Sequence, residues 1–141
     1  MIRGASAVWK GDLKSGVGAM STDSGAFKNI PYSFRTRFED QPGTNPEELV
    51  GAAHAGCFSM ALSAKLGESK LTPEYIRTSA KVTMEKTDAG MTVTKVHLDV
   101  EAKVPGASQA AFEQAAADAK AGCPISRLLK AEISLTSRLE S

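Results

Sequence analysis

The sequence has little of several features that would decide its class at once. It contains only two cysteines, Cys57 and Cys123, among 141 residues, which excludes a disulfide-rich secreted scaffold. Its 17 basic and 16 acidic residues leave a formal net charge of +1, which argues against a nucleic-acid binder with a large basic surface. No apolar run is expected to span a bilayer, so the sequence predicts no membrane partner.

The first residues also lack a targeting signal. Residues 1–5 contain no apolar stretch of the kind that a secretory signal needs, so we expect a cytoplasmic protein. Two cysteines in that compartment are more often free, catalytic or redox-active than a permanent crosslink. With 42% hydrophobic and 23% charged residues, the chain is expected to fold throughout as a single domain, residues 1–141.

The most informative stretch is a helix start signal followed by a long uncharged run. Asn45 is a good N-cap, Pro46 suits the first helical position, and acidic Glu47 and Glu48 favour the positive end of the helix dipole. Residues 49–64 contain no Asp, Glu, Lys or Arg. A helix that is apolar nearly all round belongs in a core, so we predict a long, buried central helix.

The remaining segments predict mostly strands. Alternating patterns predict short strands within 1–38, long strands at 76–85 and 96–104 and a closing strand at 131–139, with an alanine-rich helix at 109–121. Antiparallel hairpins with segregated helices define an α+β fold, with antiparallel sheets around the central helix. One small sheet would cover only one side of that helix, which predicts a homodimer with a shared core.

The surroundings of the two cysteines differ. Cys123 precedes Pro124 and is predicted as the N-cap of a short helix, where the dipole and free N–H groups lower a thiol pKa. Cys57 has no such local help and needs a cation, which Arg35 or Arg37 could supply from the polar face of a predicted strand at 32–38.

The spacing of Glu47 and Cys57 adds one constraint. They are ten residues apart on one helix, or about 15 Å along its axis. If both serve one site, Glu47 must come from a partner chain or the helix must be interrupted.

Several simpler interpretations compete with a reactive site. Cys57 alone is better explained as a core residue, and His54 as a packed helix residue rather than a base. A zinc site built from Cys57, Cys123, His54 and His97 has enough ligands but lacks the usual paired spacing.

Four motifs resemble those of the OsmC/Ohr family, the osmotically inducible protein C and organic hydroperoxide resistance proteins. They are TRFE at 36–39, GTNPEEL at 43–49, AAHAGCFSMAL at 52–62 and AGCPIS at 121–126. The similarity extends from about Trp9 to the last strand. The segments around His54 and Cys123 look more like the OsmC branch than the Ohr branch.

The resemblance implies a thiol-dependent peroxidase that reduces organic hydroperoxides, and hydrogen peroxide less well, in an intertwined homodimer. Cys57 would attack the peroxide and become a sulfenic acid, Cys123 would resolve it as a disulfide, and an external dithiol of the dihydrolipoamide type would reduce that bond. Arg37 would stabilise the thiolate and Glu47 would hold Arg37; whether Glu48 shares the role of Glu47 is left open by the sequence. No metal or organic cofactor is implied.

The residues and the resemblance disagree on one point, because local physics makes Cys123 the better thiolate whereas the family assigns the first attack to Cys57. Burial of Cys57 beside Arg37 would reconcile them. Two other functions remain open: a non-catalytic dimer that binds a small apolar ligand or senses redox state, and an oxidoreductase acting on protein disulfides.

Overall fold

The structure is a computed structural model that describes residues 1–140. Its elements in chain order are β1 (Ala5–Lys10), β2 (Val17–Thr22), β3 (Ile30–Tyr32), α1 (Phe34–Phe38), α2 (Pro46–Glu68), β4 (Tyr75–Thr87), β5 (Gly90–Lys103), α3 (Gln109–Gly122), α4 (Pro124–Leu128) and β6 (Glu132–Glu140). The predicted α+β class is confirmed. The chain divides into two compact units, Met1–Leu49 and the part from Val50 onward, so the expectation of one domain stays a prediction.

The first unit is a small antiparallel sheet followed by a short helix. Its strands lie in the order β1-β2-β3. Trp9 on β1 packs against Tyr32 on β3, with ring centroids 5.5 Å apart. Within this unit the only buried residues are Gly16 and Gly18, so its apolar side chains form no buried core of their own.

The prediction of a strand over 32–38 is wrong, because the chain turns into helix α1 after Tyr32. Ser33 caps this helix: its Oγ accepts from the Thr36 N–H at 3.2 Å, and the Thr36 hydroxyl accepts from the Ser33 N–H at 2.9 Å. This reciprocal capping box satisfies two backbone donors that a strand would have paired with a neighbour. Arg35 and Arg37 therefore do not share one face, since residues two apart on a helix point in different directions.

The second unit contains the mixed sheet β4-β5-β6. The predicted hairpin is confirmed: β4 and β5 are antiparallel, with a register shift between Thr83 and Met84. The expectation of a wholly antiparallel sheet is wrong for β6, which pairs parallel to β5, with Leu98 opposite Leu135. The chain between these strands forms α3 and α4, and such a crossover returns the chain in the same direction.

Helix α2 begins as predicted, with the Glu48 N–H donating to Asn45 Oδ1 at 2.8 Å. It buries one face only, through Gly51, His54, Phe58, Leu62 and Leu66. The four-residue spacing from His54 onward is that of a single helical face. Met60, on another side, is 78% exposed.

By length and composition alone, helix α2 could cross a membrane, contrary to the expectation that no segment would qualify; its mean hydropathy is 1.2. The core helix of a soluble protein meets the same criterion, and this helix packs one face within a protein core. That core combines α2 with β5 and α3 and includes Phe58, Leu98 and Phe112, all fully buried.

Candidate functional site

Two free thiols face each other in the second unit. Cys57 projects from the middle of α2 and Cys123 lies between α3 and α4, with their Sγ atoms 2.8 Å apart although 66 positions separate them in sequence. Cys123 is fully buried, whereas Cys57 is half-buried. A disulfide between them needs only a small adjustment, so the pair is suited to reversible oxidation.

Cys123 is held at a junction of two helices, as predicted. Its N–H donates to Ala119 O at 2.9 Å to end α3, and its carbonyl accepts from the Arg127 N–H at 3.1 Å to begin α4. Pro124 occupies the first helical position, where no donor is required. The Cys123 side chain makes no capping hydrogen bond. The first N–H groups of α4 therefore act on its sulfur as nearby dipoles.

The surroundings shift the pKa values of the two thiols in opposite directions. Burial raises the pKa of Cys123, but the Cys57 thiol, the N–H groups of Ser126 and Ile125 and the Ser126 hydroxyl outweigh burial and lower that pKa below its ordinary value. Burial, reinforced by Cys123, raises the pKa of Cys57. Within a single chain, Cys123 is therefore the better thiolate, as its position at a helix start predicts.

Arg37 and Glu47 form a separate charged pair in the first unit. Arg37 Nη2 lies 2.7 Å from Glu47 Oε1, and Nε lies 3.0 and 3.2 Å from the two carboxylate oxygens. The Glu47 side chain is only 15% exposed and that of Arg37 is 37% exposed. Arg35, by contrast, makes one exposed contact with Glu39 at 3.2 Å. The pairing of Arg37 with Glu47, predicted from the resemblance, is present.

The structure brings the predicted residues together as two pairs. Arg37 and Glu47 belong to the first unit, and Cys57 and Cys123 to the second. Ten residues of helix α2 separate Glu47 from Cys57, which places them about 15 Å apart along the helix axis.

The two histidines have different surroundings. His54 is fully buried on α2, and its Nε2 lies 2.7 Å from Ser126 Oγ on α4. His97 projects from β5 and bonds to Ser134 and Thr136 on β6. Among residues 1–140 no group of three His, Cys, Asp or Glu side chains is arranged to hold a metal ion, so the zinc interpretation has no ligand cluster to support it.

Sequence reasoning missed Ser126, which contacts His54 and acts on Cys123. Its position three residues after a helix-capping cysteine is a signal that could have found it, because the third helical residue often reaches back to the cap.

A pocket of about 210 Å³ lies within the first unit beside Arg37. Aromatic side chains dominate its lining, which comprises Trp9, Leu13, Tyr32, Ser33, Phe34, Arg37 and Phe38. The guanidinium also lies 5.1 Å from the centre of the Phe38 ring. Apolar walls with one cation would suit a molecule that combines an apolar body with a polar or anionic end.

An α+β fold that holds two free thiols with their sulfur atoms 2.8 Å apart is suited to a two-cysteine redox protein. The model of the family described as OsmC-like protein matches residues 38–138. The chain therefore belongs to the OsmC-like family.

Relatives and solved structures agree with this assignment. The chain is 54% identical to Peroxiredoxin OsmC of Escherichia coli over 133 residues, which cover 94% of this chain and 93% of that protein. It is 29% identical to the organic hydroperoxide resistance protein of Xanthomonas axonopodis over 98 residues, covering 69% and 67% of the two chains. An OsmC-like protein of unknown function from Vibrio cholerae has a similar fold, with a TM-score of 0.79 at 20% identity over 97% of this chain and 99% of that one.

Proposed function

We propose that this protein is a cysteine-based peroxidase that reduces organic hydroperoxides to alcohols in the bacterial cytoplasm. The observation that carries the proposal is the contact between an accessible thiol, Cys57, and a buried thiol, Cys123, with their sulfur atoms 2.8 Å apart. The 54% identity to a protein named Peroxiredoxin OsmC, over nearly the full length of both chains, supports the same activity.

The proposed reaction begins at Cys57. Its thiolate attacks one oxygen of the peroxide, an S–O bond forms, the O–O bond breaks and the departing alkoxide takes a proton to become an alcohol. Cys57 is thereby oxidised by two electrons to a sulfenic acid. The Cys123 thiolate then attacks the Cys57 sulfur, and hydroxide leaves and becomes water as the disulfide forms. An external dithiol reduces the disulfide by exchange and is itself oxidised.

Accessibility decides which cysteine attacks first. Cys123 has the lower thiol pKa but is fully buried, so a peroxide cannot reach its sulfur. Cys57 is half-buried and can be reached, but its raised pKa requires a cation that stabilises the thiolate. In our proposal Arg37 supplies that cation and Glu47 holds the guanidinium in place through three close contacts.

We further propose that the active protein is a homodimer in which Arg37 and Glu47 of one copy serve Cys57 of the other. The length of helix between Glu47 and Cys57 supports a contribution from a second copy. The exposed apolar side chains of the first unit support it as well: Val8, Leu13 and Val17 are 58–64% exposed in the single chain. Such surface is usually covered in an assembly.

The substrate and reductant follow from the same residues. The aromatic pocket beside Arg37 suits the organic group of a hydroperoxide better than it suits hydrogen peroxide. A dithiol of the dihydrolipoamide type is the proposed reductant, and no metal or organic cofactor takes part.

The test is peroxide consumption by the purified protein with dihydrolipoamide, comparing cumene hydroperoxide with hydrogen peroxide. We expect faster turnover of the organic peroxide and its loss in Cys57→Ser. Cys123→Ser should retain one round of peroxide reduction without disulfide formation. Turnover that survives in Cys57→Ser would identify Cys123 as the nucleophile. If the wild-type protein shows no turnover with any dithiol, the peroxidase proposal is wrong, and ligand binding or redox sensing is favoured.

A further inference from the structure

A buried polar contact links the two helices that hold the cysteines. His54 on α2 and Ser126 on α4 are 72 positions apart in sequence, and their side chains meet at 2.7 Å. The imidazole is fully buried, and its other nitrogen, Nδ1, has no hydrogen-bond partner among residues 1–140. The proposed reaction assigns no role to this histidine.

The unpartnered nitrogen indicates which tautomer His54 adopts. A proton on Nδ1 would leave a buried N–H donor unpaired, which is rarer in proteins than an unpaired acceptor. The charged imidazolium would carry that same donor and a buried charge as well. The neutral ring with its proton on Nε2 is therefore favoured, and in that form Nε2–H donates to Ser126 Oγ.

This direction of donation determines what Ser126 can do. Its oxygen accepts from His54, so its own hydroxyl proton is free to point elsewhere. Ser126 is the third residue of α4 and Cys123 is the cap of the same helix, so both residues belong to its first turn. The Ser126 hydroxyl is one of the groups that lower the pKa of the Cys123 thiol.

We propose that His54 is a positioning residue for the resolving cysteine, which holds Ser126 so that its hydroxyl donates to the Cys123 sulfur. The same contact fastens the start of α4 to α2 and keeps Cys123 facing Cys57. The inference rests on the proposed function for its role in catalysis, but the effect of the His54–Ser126 contact on Cys123 can be tested without peroxide.

No other charged group is needed for this arrangement. Burial alone lowers the pKa of His54, so the ring stays neutral. No titratable side chain contributes to that shift, and the recorded partner of the ring, Ser126, carries no charge. His54 is therefore a hydrogen-bond donor here and not a base.

The first experiment measures Cys123 alone. In a Cys57→Ser background, ionisation of the Cys123 thiol is followed against pH by the ultraviolet absorbance of the thiolate, which needs no reagent to reach the buried sulfur, and is compared among three changes. His54→Leu removes the donor and should lower the ratio of thiolate to thiol at a given pH about tenfold, as expected for the loss of one hydrogen bond to a charged sulfur. His54→Gln places an amide N–H near the position of Nε2 and should restore most of the thiolate.

Ser59→Ala is the matched control for these variants. Ser59 also lies on α2 and donates a side-chain hydrogen bond within the helix, to Ala55 O at 2.8 Å, with Thr78 on β4 as a second neighbour. Neither of these hydrogen bonds involves the Cys123 segment, so Ser59→Ala should leave the ionisation profile of Cys123 unchanged. An equal profile for wild-type His54, His54→Leu and Ser59→Ala would overturn the inference.

The second experiment follows the disulfide in the protein with both cysteines. After one equivalent of cumene hydroperoxide, His54→Leu should form the Cys57–Cys123 disulfide more slowly and accumulate Cys57 sulfenic acid, detected by mass as its dimedone adduct. If the wild type itself forms no disulfide, the proposed peroxidase is wrong, while the ionisation of Cys123 still tests the role of His54. If His54→Leu forms the disulfide at the wild-type rate, the positioning role fails while the peroxidase stands.

Discussion

The two compact units of this chain differ in how they bury apolar surface. Every buried hydrophobic side chain among the described residues belongs to the second unit, from Phe58 to Cys123. The first unit buries two glycines and leaves Val8 and Val17 about 60% exposed. A three-stranded sheet without a buried face is marginal in water. The comparison teaches that the second unit contains its own core, whereas the first has no buried apolar core among its own residues.

The chemistry is divided along the same boundary. The unit with the core holds the two thiols, and the unit without one holds the ion pair of Arg37 and Glu47. Close packing around the two thiols restricts the movement of their side chains and so keeps the two sulfur atoms near each other. The proposed homodimer would join the thiol pair and the ion pair at one site.

The largest expected effect is the loss of unfolding free energy when a buried aromatic side chain of the second unit is removed. The same change at a partly exposed ring of the first unit provides the comparison. Phe58→Ala should cost about 3–5 kcal/mol of unfolding free energy, because Phe58 is fully buried in the second unit. Phe27→Ala, in the first unit, should cost under about 1 kcal/mol, since Phe27 is 38% exposed. Urea denaturation of both variants gives the comparison. Equal costs would show that the first unit is covered in solution, and a Tm that rises with protein concentration would identify a second copy as the cover.

The next effect concerns the ion pair. Arg37→Ala should lower kcat/KM for cumene hydroperoxide about a hundredfold, because loss of a nearby cation typically raises a thiol pKa enough to reduce the thiolate by that order. Arg35→Ala is the matched control, since Arg35 makes only an exposed contact with Glu39. Steady-state kinetics of the two variants should separate them. A similar loss in both would mean that general positive charge, and not the pair with Glu47, supports the reaction.

Helix α1 is the element that sequence reasoning got wrong, and it is the one that carries Arg37. The segment predicted as a strand also contains pairs of residues four positions apart, which is a helical spacing. Phe34 packs on Phe38 with ring centroids 5.0 Å apart, and Arg35 pairs with Glu39. A five-residue helix is too short for periodicity to distinguish it from a strand. Only the cap at Ser33 decides between them.

The second unit was easier to predict because its signals are local and long. Its long hairpin and the cap position of Cys123 follow from short-range rules, as does the start of α2 at Pro46, at the end of the first unit. The direction of β6 and the contact between His54 and Ser126 depend on pairs far apart in sequence. The meeting of Cys57 and Cys123 was expected only from the family resemblance, because a spacing of 66 positions contains no information about distance.

A smaller effect is a pH dependence that belongs to the second unit. Burial lowers the pKa of His54 below its ordinary value of 6.5, so below that pH the unfolded chain binds a proton that the folded protein does not. Stability should be complete above about pH 6.5 and fall as the pH decreases, by at most about 1.4 kcal/mol per pH unit from this group. Urea midpoints between pH 8 and pH 5 should show a shallower slope in His54→Gln than in the wild type. A matched His97→Gln variant tests whether the slope belongs to position 54; an unchanged slope in His54→Gln would contradict the assignment.

The smallest effect compares two serine caps, one in each unit. Ser108 caps α3, whose buried face includes Phe112, by accepting from the Ala111 N–H at 3.1 Å. Ser33 caps α1, which buries no residue. Loss of either cap should cost its helix about 1 kcal/mol. Ser108→Ala should show that cost in global unfolding, because α3 belongs to the core.

Ser33→Ala should instead show its cost in activity. Helix α1 can fray without exposing a core, so the urea midpoint should move little, but Arg37 loses the helix that directs it toward Glu47. We expect kcat/KM for cumene hydroperoxide to fall by less than tenfold, well short of the effect of Arg37→Ala. Ser33→Asp, which can still cap the helix, should retain the wild-type rate. If Ser33→Ala lowers global stability as much as Ser108→Ala does, α1 is part of a cooperative core in solution, and the contrast between the two units holds only for the isolated chain.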